Sequence, residues 1–432
     1  MMGYVSAFGP FEPELPSERI EPGDSVKVIC RKCISNLQDR DPMKVRPGIE
    51  NLICNRSSIL KGANVGAVVH PASVLPDLRH TADVLGEAGE FRLVSLFGPQ
   101  HGARGEKQDN MVESGFYRDP DTGVPVHSLY GETRRPTEEM MHDIDILVFD
   151  LQDVGTRVYT FIHTMAYCME ACAAFRKKMI VLDRPNPING SIVEGNLLVP
   201  QFRSFVGLYP IPMRHGMTVG ELALLFNSEF DLHCDLTVIP MEGWGRDEWF
   251  DQTGLPWVQP SPNLPTLDSV AVYPGMVLFE GTLSSEGRGT TRPFELVGAP
   301  FIRSRQFADH CNSLGLPGVR FRPSYFEPTF HKYAGEICGG MQVHVTDRNR
   351  FEPYLTGIAA VAGMQSLYPE LFKWREPPYE YEFEKRPIEI LCGCREIPDM
   401  IDNGASPDRI RESWQNDIDT FKRLRKPYLL YE

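Results

Sequence analysis

Short apolar runs of strand length recur along the chain and alternate with stretches of helical period. Val65 to Val69, Leu93 to Phe97, Ile144 to Phe149, Met179 to Leu182 and Leu236 to Ile239 read as strands. Between them, helical patterns run from about Leu78 to Leu85, from Thr160 to Phe175 and from Val219 to Phe226. Such alternation is the mark of βαβ units and a mostly parallel sheet. The helix after Met217 has a defined start, because Thr218 followed three residues later by Glu221 makes a capping box that satisfies two orphan amide donors.

Before Val45 the sequence is rich in proline and charge and keeps no apolar period, so residues 1–44 read as an N-terminal extension. Beyond about Gln259, Gly and Pro crowd the stretch from Pro260 to Pro300. Apolar segments then return less regularly, as in Ile337 to Val345 and Leu355 to Tyr368. The division expected is a first, parallel-sheet domain over 45–262 and a second, smaller C-terminal α/β domain over 263–432. A chain of 432 residues exceeds what one hydrophobic core usually organises, which supports that split.

Composition narrows the partners. A formal net charge of −14 opposes binding to nucleic acid or to an anionic membrane, both of which are gripped mainly through Lys and Arg. No apolar run approaches the length of a membrane helix. Met1 to Ile20 carries Glu12, Glu14 and Glu18 and lacks the basic start and apolar run of a secretory signal. The expectation is a cytoplasmic chain, or a periplasmic or secreted one whose signal has been removed. The cysteines are scattered, with Cys168 and Cys172 one helical turn apart in apolar sequence, so no disulfide framework is expected. Two tight pairs, Cys30 with Cys33 and Cys392 with Cys394, could complete a four-thiolate zinc site. They stand at opposite ends of the chain, and Cys-x-Cys is not the usual knuckle spacing, so packing or surface thiols are the simpler account.

In parallel α/β sheets ligands bind outside the carboxyl ends of the strands, and the residues just after each apolar run are strongly polar here. Val69 is followed by His70. Phe97 leads into Gly98-Pro99-Gln100-His101-Gly102-Ala103-Arg104, and Phe149 into Asp150-Leu151-Gln152-Asp153-Val154-Gly155-Thr156-Arg157. Leu182 is followed by Asp183-Arg184-Pro185-Asn186, and the run Ile211 to Met213 by Arg214-His215-Gly216. One such loop is ordinary turn and cap chemistry. Several on one edge, supplying acids, imidazoles and guanidinia together, make a substrate cleft the better reading. A second cluster spans Phe279 to Arg292, where Glu280, Glu286, Arg288, Thr290 and Arg292 are interleaved with glycines that let backbone approach a ligand. Its plain alternative is a solvated loop laced with weak ion pairs.

From about Arg46 to the C-terminus the chain resembles the NamZ-type exo-β-N-acetylmuramidases, glycoside hydrolase family 171, formerly a domain of unknown function numbered 1343. The resemblance rests on Phe97 to Gly105, Leu147 to Arg157, Leu182 to Pro187, Tyr209 to Gly220, Met241 to Trp244, Pro260 to Pro265 and Glu286 to Phe294. It implies a Rossmann-like N-terminal domain, a smaller C-terminal domain, a cleft between them, and removal of terminal β-linked N-acetylmuramic acid from peptidoglycan fragments. The partner is then a small amino sugar or muropeptide. Its lactyl carboxylate could be held by Arg214, Arg288 or Arg292. Gln100, His101, Arg104, Gln152, Arg157, Asp183, Arg184, Asn186, His215 and Thr290 complete the expected binding set. Tyr159, Trp244 and Tyr273 could stack on a sugar face, although core packing is the commoner role for each.

At one position the chain departs from the family. Where the muramidases read Gly-Pro-Glu-His-Gly and that glutamate is taken as the catalytic acid, this chain has Gln100, and an amide gives no proton at neutral pH. Three readings stay open. Another carboxyl serves, with Glu286, Glu280 and Glu106 as candidates in that order. Or the substrate's 2-acetamido group acts as nucleophile, oriented by Asp150 or Asp153. Or the protein binds an amino sugar without turning it over.

Other classes fit less well. His70, His101, His163 and His215 with Asp150, Asp153 and Asp183 are metal-ligand types, which keeps a metal-dependent hydrolase as an alternative, but no His-Glu-x-x-His or similar spacing occurs and no metal is expected. There is no Gly-x-Ser-x-Gly elbow, no Gly-x-Gly-x-x-Gly between strand and helix, and no P-loop, so neither a serine hydrolase nor a nucleotide cofactor is expected.

Overall fold

Strand-length apolar runs can be buried on both sides only if helices cover both faces of their sheet, and that is the arrangement found. The structure, a computed structural model, describes residues 45–105 and 117–432. The extension over residues 1–44, with its Cys30 and Cys33, and the candidate Glu106 lie outside the described residues. The first elements are helix α1 (Gly48–Asn55), strand β1 (Asn64–Val69), α2 (Thr81–Gly86), β2 (Arg92–Gly98), β3 (Tyr117–Arg118), β4 (Pro125–Ser128) and α3 (Glu138–Met141). Then come β5 (Ile146–Asp150), α4 (Phe161–Ala174), β6 (Lys178–Leu182), α5 (Val219–Glu229) and β7 (Asp235–Ile239).

These strands form one seven-stranded sheet in the order β3-β4-β2-β1-β5-β6-β7, parallel throughout except for the short edge strand β3. Side chains alternate across it with period two. Val65, Ala67, Val69, Val148, Ile180 and Leu182 pack on one face with Ile49 and Leu52 of α1 and Ala82 and Leu85 of α2. Val68, Leu147, Phe149, Met179 and Val181 face the other way, into a core shared with α4 and α5. Chain reversal falls between β1 and β5, which places the switch-point crevice where the loops after β1, β2 and β5 meet.

The second half contributes α6 (Leu267–Met276), β8 (Leu296–Ala299), α7 (Ser304–Ser313), β9 (Val319–Phe326), β10 (Cys338–Val345), α8 (Pro353–Leu367) and α9 (Pro387–Cys392). Its sheet is antiparallel, in the order β8-β10-β9. Val297 of β8 and Met341 of β10 belong to the same continuous apolar cluster as Phe149 of β5, so the two halves share a core. Helices α6 and α8 cross backbone to backbone: a methyl group on Gly275 would lie 1.8 Å from the Pro353 carbonyl oxygen.

The capping box at Thr218 and Glu221 is present in both directions. Three sequence expectations are corrected. Leu78 cannot open a helix, because it sits in the left-handed region at φ 70°; α2 starts at Thr81, capped by the His80 side chain. The run Ile211 to Met213 is not a strand, and its neighbour Arg214 makes only isolated bridges to Thr156 and Glu194. The Gly- and Pro-rich stretch after Pro260 holds a regular helix, α6, with Pro274 near its end. Among the described residues, no helix is long and apolar enough to cross a membrane.

Candidate active site

A pocket open to solvent on one side lies where the loops after β2 and β5 meet the C-terminal half, with about 390 Å³ of non-atom space when the solvent at its mouth is counted. Gln100 and His101 enter from β2, and Tyr159 and Thr160 from the loop leading into α4. Tyr273 of α6, Glu280, Arg288 and Phe294 come from the segment that begins the C-terminal half, and Tyr379 and Glu380 from the loop before α9. Three of these lining residues, His101 (φ 73°), Phe294 (φ 64°) and Glu380 (φ 46°), hold left-handed backbone, a conformation costing non-glycine residues about 1–3 kcal/mol each and concentrated at functional sites. Gly98 ends β2 against the same turn: a Cβ there would lie 2.6 Å from the Ala103 nitrogen.

A directed chain of hydrogen bonds crosses this cavity wall. Thr160 Oγ1 donates to Gln100 Oε1 at 2.9 Å, Gln100 Nε2 donates to the Tyr130 hydroxyl oxygen at 3.2 Å, and the Tyr130 hydroxyl donates to Glu380 Oε2 at 2.7 Å. The amide of Gln100 serves here as acceptor on one side and donor on the other. Burial pushes the Glu380 carboxyl up to about 7, and the nearby Glu280 adds to the shift against the Tyr130 hydrogen bond. His101 Nε2 and Ser261 Oγ are 3.2 Å apart on the same wall.

Across the cavity sits an ion cluster. Arg288 Nη2 donates to Glu280 Oε1 at 2.7 Å, and the Tyr379 hydroxyl donates to Glu280 Oε2 at 2.6 Å. Arg288 is only 5% exposed, and among the described residues its Nη1 has no hydrogen-bond partner. Burial would lower its pKa, but Glu280 and Glu286 overcome that and hold it protonated. Glu286 lies behind this arginine and does not line the cavity. Lys332 Nζ donates to its Oε2 at 2.9 Å, while His331 Nδ1 (3.2 Å) and Arg288 Nε (3.4 Å) approach Oε1. Burial would raise the Glu286 pKa, yet Lys332, His331 and Arg288 together hold it well below the usual carboxylate range.

Of the sequence candidates, Gln100, His101, Glu280 and Arg288 line this cavity. Gln152 and Arg184 line a second one, of about 300 Å³, on the same sheet edge. The others are tied into the protein. Asp150 accepts from Arg184 Nε (2.6 Å), Arg184 Nη2 (2.8 Å) and Thr81 Oγ1 (2.5 Å). Asp153 caps Gly155 N and faces His215 Nε2 at 3.3 Å. Asp183 accepts from Thr218 Oγ1 and Gly220 N. Arg157 donates to the carbonyls of Asn196, Ile211, Leu391 and Cys392, an entirely buried guanidinium that ties the β5 loop to α9.

Asn186 donates to Met217 O, and Arg214 to Ile188 O. Arg104 pairs with Asp119 and Asp83. Thr290 Oγ1 bonds Gly287 O, and the half-exposed Arg292 pairs with Glu295. Tyr159 and Tyr273 reach the cavity, whereas Trp244 packs against Tyr431. Sequence reasoning missed Tyr130, Tyr379 and Glu380. For Tyr379 and Glu380 the signal was a proline-led run of alternating aromatic and acidic residues, Pro377-Pro378-Tyr379-Glu380-Tyr381-Glu382.

A doubly covered parallel sheet, with a polar cavity at its carboxyl edge closed by a smaller second half and holding two buried carboxyls, defines an α/β enzyme equipped for acid–base chemistry. Comparison with known proteins gives the family. The chain belongs to the exo-β-N-acetylmuramidase NamZ family: its N-terminal part matches over residues 65–268 and its C-terminal part over residues 271–431. It is 49% identical over 388 residues to the peptidoglycan β-N-acetylmuramidase NamZ of Bacillus subtilis strain 168, covering 90% of this chain and 92% of that protein. Two DUF1343 family crystal structures from Bacteroides fragilis NCTC 9343 share the fold. One has a TM-score of 0.82 at 37% identity, covering 91% of this chain and all of the other; the second has a TM-score of 0.70 at 33% identity, covering 90% and 99%.

Proposed function

We propose that this protein is an exo-acting glycoside hydrolase that releases terminal β-linked N-acetylmuramic acid from peptidoglycan fragments, with the cavity around Gln100, Glu280, Arg288 and Glu380 as its sugar site. The observation that carries the reading is a buried arginine on the cavity wall, Arg288, whose Nη1 has no partner among the described residues. A buried donor left open is costly unless a ligand completes it. Muramic acid differs from glucosamine by a lactyl ether that ends in a carboxylate, and a guanidinium held protonated matches that group. Arg214 and Arg292, the other two candidates, do not line this cavity; Arg214 donates to Ile188 O and Arg292 pairs with Glu295.

Tyr159 and Tyr273 present ring surface to a pyranose, and Glu280, with each oxygen accepting a hydrogen bond, is an acceptor for a sugar hydroxyl, the acetamido N–H or a water. The Bacillus subtilis relative is a peptidoglycan β-N-acetylmuramidase, and the reading carries that substrate class to this chain.

The test is turnover by the purified full chain of 4-nitrophenyl β-N-acetylmuramide against the matched β-N-acetylglucosaminide. Release from the muramide, with at least about tenfold preference over the glucosaminide, is expected. Arg288→Met should raise KM for the muramide and shrink that preference. Equal rates on the two sugars, or no release from either, would sink the reading.

A further inference from the structure

We propose that Glu380 is the proton donor of this enzyme, delivering to the glycosidic oxygen the proton that the amide at Gln100 cannot supply. The proposal rests on the glycosidase reading above and names the group that makes it work.

Three carboxyls stand in or behind the cavity, and their partners separate them. Glu286 does not line it and is held by Lys332, His331 and Arg288. Glu280 lines it, but one oxygen is taken by Arg288 and the other by Tyr379. Glu380 lines it with no ion pair: Oε2 receives the Tyr130 hydroxyl, and among the described residues no hydrogen bond engages Oε1. The relay from Thr160 through Gln100 to Tyr130 points every donor toward Oε2. Oε1 is thereby left as the oxygen to carry a proton.

The backbone places this carboxyl deliberately. Glu380 and Tyr381 both hold left-handed conformations, at φ 46° and 65°, and the Arg134 guanidinium lies 3.8 Å from the Tyr381 ring centroid, over a patch that also includes Tyr130 and Phe205. That stack fixes the loop against the parallel-sheet half, beside the relay. Burial supports the protonated form, since it carries the carboxyl up to about 7, the range in which a glycosidase acid works.

In the step itself, Glu380 Oε1–H gives its proton to the glycosidic oxygen as the bond from that oxygen to C1 breaks, and the aglycone leaves as a neutral alcohol. Water then supplies the new oxygen at C1, directly or after the substrate's acetamido group has closed on C1. The proton that water sheds restores Glu380. Atoms and charge balance with water as the only co-reactant.

The experiment compares native protein and Glu380→Gln on two β-N-acetylmuramides, one with an alkyl aglycone and one with 2,4-dinitrophenol, which departs without protonation. Loss of a general acid predicts a fall in kcat/KM of about 100-fold or more on the alkyl glycoside. On the dinitrophenyl glycoside the fall should stay within about tenfold. The native kcat/KM for the alkyl glycoside should decline as pH rises through about 7, and the variant should lose that limb. Equal losses on both substrates, or an unchanged variant, would overturn the proposal while leaving the glycosidase reading standing. A native protein inert toward both would overturn the two together. Tyr130→Phe guards against misfolding of the first variant. It removes a hydrogen bond that favours the carboxylate, so the basic limb should move to higher pH, and an unmoved limb counts against Glu380.

Discussion

Asp150 offers the sharpest separation of scaffold from chemistry, because at sequence level it is a candidate catalytic orienter and in the structure it is an anchor. Its side chain is fully buried, Arg184 is 5% exposed, and two hydrogen bonds of 2.6 and 2.8 Å join them. Arg184 Nη2 also reaches Val74 O, so this pair ties the end of β5 to the loops after β1 and β6. Asp150→Ala removes one partner and leaves a guanidinium buried without its counter-charge. Breaking a buried pair in that way costs about 3–5 kcal/mol. The Thr81 hydroxyl loses its acceptor as well. Set against a typical total of about 5–15 kcal/mol, that is a large fraction of the stability.

Urea unfolding followed by tryptophan fluorescence measures the loss, and kcat/KM per mole of folded protein measures the chemistry. The expected result is a lower unfolding midpoint by the equivalent of about 3–5 kcal/mol with kcat/KM of the folded fraction within about threefold of native. The double replacement Asp150→Leu with Arg184→Met should recover much of the stability, since it strands no charge. A variant of native stability that has lost turnover would refute the reasoning and return Asp150 to the reaction.

Two further outcomes follow from packing and burial. Gly275→Ala should destabilise by at least about 1–3 kcal/mol, read as a lowered Tm, because its methyl would meet the Pro353 carbonyl at 1.8 Å and force α6 from α8; a Tm unchanged within error would show that the helices yield freely. Glu194 is buried with Oε1 bonded to Leu355 N and Oε2 without a hydrogen-bond partner among the described residues, and burial raises it from 4.5 to about 7. The folded state thus binds this proton more tightly than the unfolded chain. Its stabilisation is complete below about 4.5 and is lost as pH rises through about 7. Glu194→Gln should flatten the fall in Tm between those values, though not abolish it, since Asp183 and Glu380 titrate in the same sense; an unaltered slope would contradict the assignment.

What could be read from sequence tracks where the physics is local. Strands β1, β2, β5 and β6 were visible because a parallel sheet covered on both faces demands continuous apolar runs, and the start of α5 because a capping box is a four-residue device. Strand β9 was not, since it is an edge strand whose exposed positions carry Arg320, Arg322 and Pro323, which break both the apolar run and the propensity. Nor was α6, whose Pro274 and Gly275 look like a break until α8 is packed against them. The site divides similarly. Loops at strand ends announce that a cavity is near, but the same loops carry the anchors Asp150, Asp183, Arg157 and Arg214, and nothing local distinguishes an arginine that ends on carbonyls from one that ends on a ligand. The run around Glu380 could mark the segment but not the residue's role, because the hydrogen bond that defines it joins residues 250 apart in sequence.

Gln100 gains its meaning from that distant partner. An ionised glutamate at position 100 could only accept hydrogen bonds, so the single Tyr130 proton would be contested by two carboxylates, one at each end of its reach. The amide resolves the contest. It accepts from Thr160 and donates to Tyr130, leaving the phenolic proton for Glu380. Gln100 and a protonatable Glu380 are therefore one arrangement: the residue that cannot give a proton fixes which oxygen of Glu380 is occupied and which is open to carry one. On that account the amide is no sign of an abandoned site, and its loop remains what the strand-end pattern first marked, the rim of a working cavity.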